Sequence, residues 1–247
     1  MPVQAIDHEH SPEAIRERLE SGTEASYLRD WIYGGIDGAV TTFAIVCGVV
    51  GANFSTSVIL VLGAANIVAD GFSMAASNYT GSKAENDEFD RIRAHEEMQV
   101  ERDPAGEVRE IREIYRSKGF EGEDLDRAVN IITADKKLWV NTMLTEEYGL
   151  PMSDRSPLKA ALGTFLAFML CGMVPLLPFF PGDGILSRTG ATWISVALTA
   201  AVFFGIGSLK SRWSLTGWLR SGLETLAIGL GAALIAFGIG YGLKSFI

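Results

Sequence analysis

Apolar residues gather in two blocks, 31–80 and 158–247, on either side of a strongly polar stretch. Five segments inside these blocks, at about 30–52, 57–81, 158–180, 190–209 and 221–243, approach the ~20 residues a helix needs to cross a bilayer. Pro175 and Pro178 interrupt the third and predict a kink or an early end there. The fourth and fifth are rich in glycine (Gly205, Gly207, Gly229, Gly231, Gly238, Gly240 and Gly242), which permits close helix contacts. The polar stretch reads as helix too: 85–102, a break at 104–106, then 107–117, 124–134 and 136–148. The pattern therefore predicts an all-α membrane protein of five transmembrane helices, with a helical insert between the second and third. Its organisation is a leader at 1–26 holding a short amphipathic helix, spans 1–2 in 27–81, the insert in 82–157, and spans 3–5 in 158–247.

Charge sharpens this division. The insert carries 19 Asp and Glu against 12 Lys and Arg, most of the net charge of −9. With no basic face, the chain gives no footing for nucleic acid. Arg16, Arg18 and Arg29 flank the first span, and Lys210, Arg212 and Arg220 fill the link between the last two; the links at 53–56 and 181–189 are nearly uncharged. Positive charge marks the cytoplasmic side, so the N-terminus and the insert are expected in the cytoplasm and the C-terminus outside. Cys47 and Cys171 lie in separate apolar runs and read as buried thiols. The first 25 residues lack the basic-then-apolar opening of a cleavable signal peptide. A bacterial plasma membrane is the expected location, or a vacuolar membrane in a eukaryote.

Within this frame a few polar residues stand out. Asn66, Asp70 and Met74 recur at steps of four in the second span and share one helix face, with Ser73, Ser77 and Asn78 beside them. Asp37 lies in the first span between glycines. A carboxylate at the centre of a span costs roughly 2.5–3.5 kcal/mol, so such groups usually face a cavity or pathway. A hard carboxylate beside a soft thioether suits a divalent transition metal better than magnesium or calcium. The structural alternative is a packing face in which each aspartate bonds to a neighbouring helix. In the insert, Glu107, Glu110 and Glu113 follow one another at steps of three; Glu97 and Glu101 share a face, and Met143 shares one with Glu146 and Glu147. Carboxylates converging from several helices are how bundles hold metal, although charged faces are more often solvated, and Arg102, Arg109, Arg112 and Arg116 are available to pair with them.

These residues resemble the vacuolar iron transporter family. The resemblance rests on Arg29 and Asp30 followed by Gly35, Asp37 and Gly38; on Asp70, Ser73 and Met74; on Ser82, Lys83 and Glu85; and on Trp139, Met143, Glu147, Gly149 and Leu150. It covers about 27–247. It implies a homodimer moving Fe2+, often with Mn2+, out of the cytosol against protons, with no organic cofactor and no enzymatic step. It also implies a membrane metal site at Asp37 and Met74, an acidic residue of the cytoplasmic mouth at Asp30, and insert metal positions at Glu107, Met143 and Glu147, with Glu96, Glu97 and Glu101 as further candidates; Glu110 is a candidate by its spacing from Glu107 alone. The chain departs from that pattern at Asn66, where plant members carry a glutamate, at Leu144, where they carry a second methionine, and at Ser26. With Asp70 one turn from Asn66, either the charge has been relocated or proton coupling has changed.

A thioether adds affinity for Fe2+, Co2+, Ni2+ and Zn2+ but little for Mg2+. Two other readings stay open. One is a membrane-anchored iron oxidase, although such a bundle wants paired Glu-x-x-His motifs and the insert holds only His95. The other is a metal sensor that binds without transport.

Overall fold

A computed structural model describes residues 9–21, 25–151, 155–182 and 185–246. Helices α1 (Pro12–Ser21) and α2 (Leu28–Gly51) are followed by one unbroken helix, α3 (Thr56–Arg102), then α4 (Pro104–Ser117), α5 (Gly122–Thr133), α6 (Lys136–Glu146), α7 (Pro157–Met173), α8 (Arg188–Lys210) and α9 (Trp218–Leu243). Among the described residues there is no strand. The chain divides into two compact units, one built on Ser26–Thr80 and Ser156–Ile247, the other on Gly81–Arg155.

In the first unit five helices are long and apolar enough to cross a membrane. The third is α7 with the turn beyond it. The predicted kink is a 3-10 segment, Val174–Phe179, which starts next to Pro175 and carries Pro178 inside it. Ser195 closes the break by donating its hydroxyl to the Pro175 carbonyl at 2.7 Å. Helix α2 lies against α7 along Gly34 and Gly38, where an added Cβ would overlap the carbonyl oxygens of Thr164 and Phe168. The glycines of the last two spans divide. Gly207, Gly229 and Gly240 are pressed against Ser221, Phe203 and Gly48, whereas Gly205, Gly231, Gly238 and Gly242 meet nothing within 4 Å among the described residues. Ala39, Phe43, Val46, Ile59, Ile67, Leu176 and Phe203 fill the core.

Two polar bonds tie the antiparallel pair α2–α3. Near the start of α2 the buried Asp30 accepts from the Asn78 amide at 2.8 Å, and that amide also lies 2.7 Å from the Thr164 hydroxyl on α7. Further along, the Asn66 amide donates to the Thr41 hydroxyl at 3.3 Å, and Thr41 donates to the Asp37 carbonyl at 2.9 Å.

The second unit packs the polar half of α3 with α4, α5 and α6 around Val100, Ile111, Leu125, Val129, Trp139 and Met143. The expected break at 104–106 is narrower than the sequence suggests. Asp103 caps α4 by accepting from the Gly106 amide at 2.9 Å, and Pro104 takes the first helical position, where its missing N–H costs nothing. Helix α4 thus begins three residues before Glu107. Helix α5 begins two residues earlier than expected, and α6 ends at Glu146 with Glu147 as its cap. Gly149, at φ 65°, turns the chain out of that helix.

Candidate functional site

In the first unit the polar stripe of α3 faces α2. Asn66, Asp70 and Met74 are each half-buried, as is Asp37 across from them. The charges of Asp37 and Asp70 act on one another. Among the described residues neither carboxylate accepts a hydrogen bond or an ion pair. The packing alternative required each to bond within the bundle. Two acids, an amide oxygen and a thioether within three turns of α3 and one of α2 make a donor set that is part hard and part soft. Beyond the stripe, α3 exposes Val61, Val68 and Phe72. Asp30 sits elsewhere. It is 3% exposed and joined to Asn78, so its carboxylate links α2 to α3 at the start of the pair.

The second unit collects a different group. Glu96 and Glu107 are buried; the charges of Glu110, Glu96 and Glu147 act on Glu107, and those of Glu110 and Glu96 act on Glu147. Tyr148 donates its hydroxyl to Glu96 at 2.8 Å, while the other oxygen of Glu96 and Oε2 of Glu107 are buried with no hydrogen-bond partner among the described residues. Met143 lies fully buried in the core of the same unit. Beside the acids a groove of about 440 Å3 is lined by Glu107, Glu110, Glu147, Gln99, Asp103 and Arg109. Burial, and then the charges of Glu110, Glu96, Glu147 and Asp103, push the Glu107 carboxyl up to about 7. Burial with Glu110 and Glu96 raises Glu147 in the same way. Even so, among the described residues no three His, Cys, Asp or Glu side chains converge closely enough to hold a metal ion as they stand.

Two of the expected ligands lie outside this group. Glu97 is exposed, and Glu101 is exposed and paired with Lys136 at 2.5 Å, whose hydrogen bond and charge hold its carboxyl below the ordinary range. Glu146 pairs with Lys118. The member that spacing left undecided is Glu96. It differs from Glu97 by one residue and so by about 100° around α3. Its signal was not periodicity but Tyr148, 52 residues away.

The titration of Glu107 has a testable sign. Its folded carboxyl binds a proton more tightly than an unfolded one. It therefore contributes stability that is complete below pH 4.5 and lost as pH rises through about 7. The metal-free insert is expected to lose on the order of 2–3 kcal/mol over that range. Hydrogen exchange of the α4 and α6 amides, corrected for intrinsic rates, should show the loss. Glu107→Gln should flatten it, and an unchanged slope in that variant would remove Glu107 as its source.

Comparison with known proteins agrees with this architecture. Residues 28–241 match the model of the VIT family. A vacuolar iron transporter of Toxoplasma gondii is 32% identical over 251 residues, covering 96% of this chain and 83% of that protein. Vacuolar iron transporter 1 of Arabidopsis thaliana is 32% identical over 216 residues, covering 87% and 85%. A vacuolar iron transporter of Centaurea cyanus is 32% identical over 235 residues, covering 94% of each. An apolar five-helix unit, an all-helical insert between its second and third spans and a family match running almost end to end lead to one assignment: this chain is an integral membrane protein of the VIT family.

Proposed function

We propose that this protein carries divalent transition metal, Fe2+ foremost and Mn2+ as a second substrate, out of the cytosol in exchange for protons, and that it does so as a homodimer. The observation that carries the reading is the pair Asp37 and Asp70, two half-buried carboxylates in membrane-spanning segments that act on one another and that no protein donor satisfies among the described residues. Such groups are costly unless a cation or a proton takes the place of the missing partner. Met74, one turn from Asp70, adds the soft ligand, and Asn66 adds an amide oxygen. The acids of the insert supply the gathering step on the cytoplasmic side. A cation there relieves the repulsion among Glu96, Glu107, Glu110 and Glu147 and draws them into a site that they do not form alone. The exposed apolar face of α3 supports pairing with a second copy, which would enclose the stripe.

Release requires intermediate affinity, and protons arriving from the far side compete for the same carboxylates. Met74→Leu keeps volume and apolarity while deleting the sulfur. It is expected to leave Mn2+ flux within about twofold and to lower preference for Fe2+, Co2+, Ni2+ and Zn2+ over hard ions by roughly tenfold. Competition assays on the natural chain and on Met74→Leu would read this, and an unchanged preference would count against the thioether as a ligand.

The test of the whole reading is metal entry into sealed proteoliposomes of the purified protein, with a pH dye inside. Fe2+ entry with opposite proton movement is the expected result. Metal binding without flux under a gradient of either sign would turn the assignment to a sensor or an oxidase.

A further inference from the structure

At the far end of the first unit from Asp30, a cavity of about 800 Å3 opens between α2, α8 and α9. Its depth is apolar, with Phe43, Cys47, Val196, Leu230, Leu234 and Phe237 among its walls. Its mouth is cationic. Arg188, at the first position of α8, and Lys244, just past the end of α9, both line it, and no described lining residue is acidic. Arg188 is aimed by two acceptors at the end of α2, the Val50 carbonyl at 3.5 Å and the Asn53 side chain at 3.1 Å. Asn53 itself holds a left-handed backbone at φ 63°. The guanidinium's remaining N–H groups meet no acceptor among the described residues. Trp193 and Tyr241, 69% and 66% exposed, stand at the same mouth, and rings of this kind mark the headgroup level of a bilayer.

Length matches a lipid as well as charge does. From Tyr241 down to Leu230 the cavity follows α9 for 11 residues, about 16 Å at the helical rise. One leaflet of hydrocarbon is about 15 Å deep, half of a ~30 Å core. The volume lies within the ~300–1,000 Å3 of ordinary ligand pockets. A soluble anion would leave this apolar depth unfilled, and a sterol or a zwitterionic lipid would leave the paired cations without a net counter-charge.

We infer that this cavity binds one anionic phospholipid, its phosphate between Arg188 and Lys244 and an acyl chain along α9 as far as Leu230. The site is separate from the Asp37–Asp70 stripe and stands whether or not metal is the cargo.

Native mass spectrometry of the full-length protein, released from vesicles of equal phosphatidylglycerol and phosphatidylcholine, tests it. The natural chain should retain phosphatidylglycerol in preference. Lys244→Gln and Arg188→Gln should each lower the ratio about fivefold, the equivalent of about 1 kcal/mol for one cation near an anionic lipid. Leu234→Trp, which fills the cavity from an exposed position, should lower retention of both lipids. Lys244 makes no side-chain bond among the described residues, so Lys244→Gln decides the matter should Arg188→Gln fail to fold. Equal retention of the two lipids by the natural chain, or an unchanged ratio in Lys244→Gln, overturns the proposal. So does a change of oligomeric state in Leu234→Trp with lipid retention intact, which would give the cavity to a second copy.

Discussion

Asp37→Asn is expected to lower metal flux by at least about 100-fold while leaving the protein folded. Loss of a mere supporting partner around a metal site already costs about 10–100-fold, and Asp37 is proposed as a ligand itself. The substitution keeps the shape of the side chain and removes its charge. No hydrogen bond to the carboxylate is lost, because none is present among the described residues. The stability change should even be favourable, since a desolvated charge disappears. Proteoliposome uptake beside a thermal melt of the same preparation separates the two effects. Full flux in the variant would take Asp37 out of the pathway. The same pair of measurements on Asp70→Asn bears on Asn66. Equal loss there would mean that the charge absent from Asn66 has been taken up one turn away. Full activity would mean that Asp37 and Met74 suffice.

The second large effect concerns packing. Gly34→Ala and Gly38→Ala each place a methyl group on a backbone carbonyl of α7, an obstacle that cannot rotate away as a side chain would. Overpacking of this kind costs about 1–3 kcal/mol per site, and the α2–α7 contact has no slack to absorb it. The double variant is expected to melt about 10 °C lower, and Gly38→Ala alone should reduce flux through displacement of its neighbour Asp37. Gly205→Ala is the control. Its Cβ meets nothing within 4 Å among the described residues, so stability should hold within about 0.5 kcal/mol. A double variant as stable as that control would show that α2 and α7 do not approach as described.

The contrast among glycines marks where sequence ceased to be informative. The five spans were legible because twenty apolar residues in a row admit few other readings, and the stripe at Asn66, Asp70 and Met74 because a polar residue inside such a run is conspicuous at helical spacing. Nothing in composition separates Gly38 from Gly205. Only the helix that happens to face each one does. The insert shows the same limit. Residues 96, 97 and 101 are all glutamate on a polar helix, where burying one and solvating another leaves no periodic trace. Tyr148 and Lys136 sort them, from 52 and 35 residues away. Asn78 was visible only as a neighbour of the stripe, yet with Asp30 and Thr164 it forms a junction of three helices across separations of 48 and 86 residues.

That junction has an electrical consequence. Asp30–Asn78 on one side and Thr41–Asn66 on the other bracket the Asp37–Asp70 pair, and in antiparallel helices a step along one is matched by a step back along the other. Tied at both ends, α2 and α3 are held in one register, so under the proposed transport a change of access would carry both aspartates together. A doubly charged ion on two carboxylates is electroneutral in transit. The empty pair would return with two negative charges, each worth about 2.3 kcal/mol per 100 mV, unless protons ride back in the metal's place. Two protons per metal make the whole cycle indifferent to membrane voltage. Uptake under a clamped potassium diffusion potential should then be the same at either polarity, and a flux that followed the sign of the potential would mean that the two charges part company on the way.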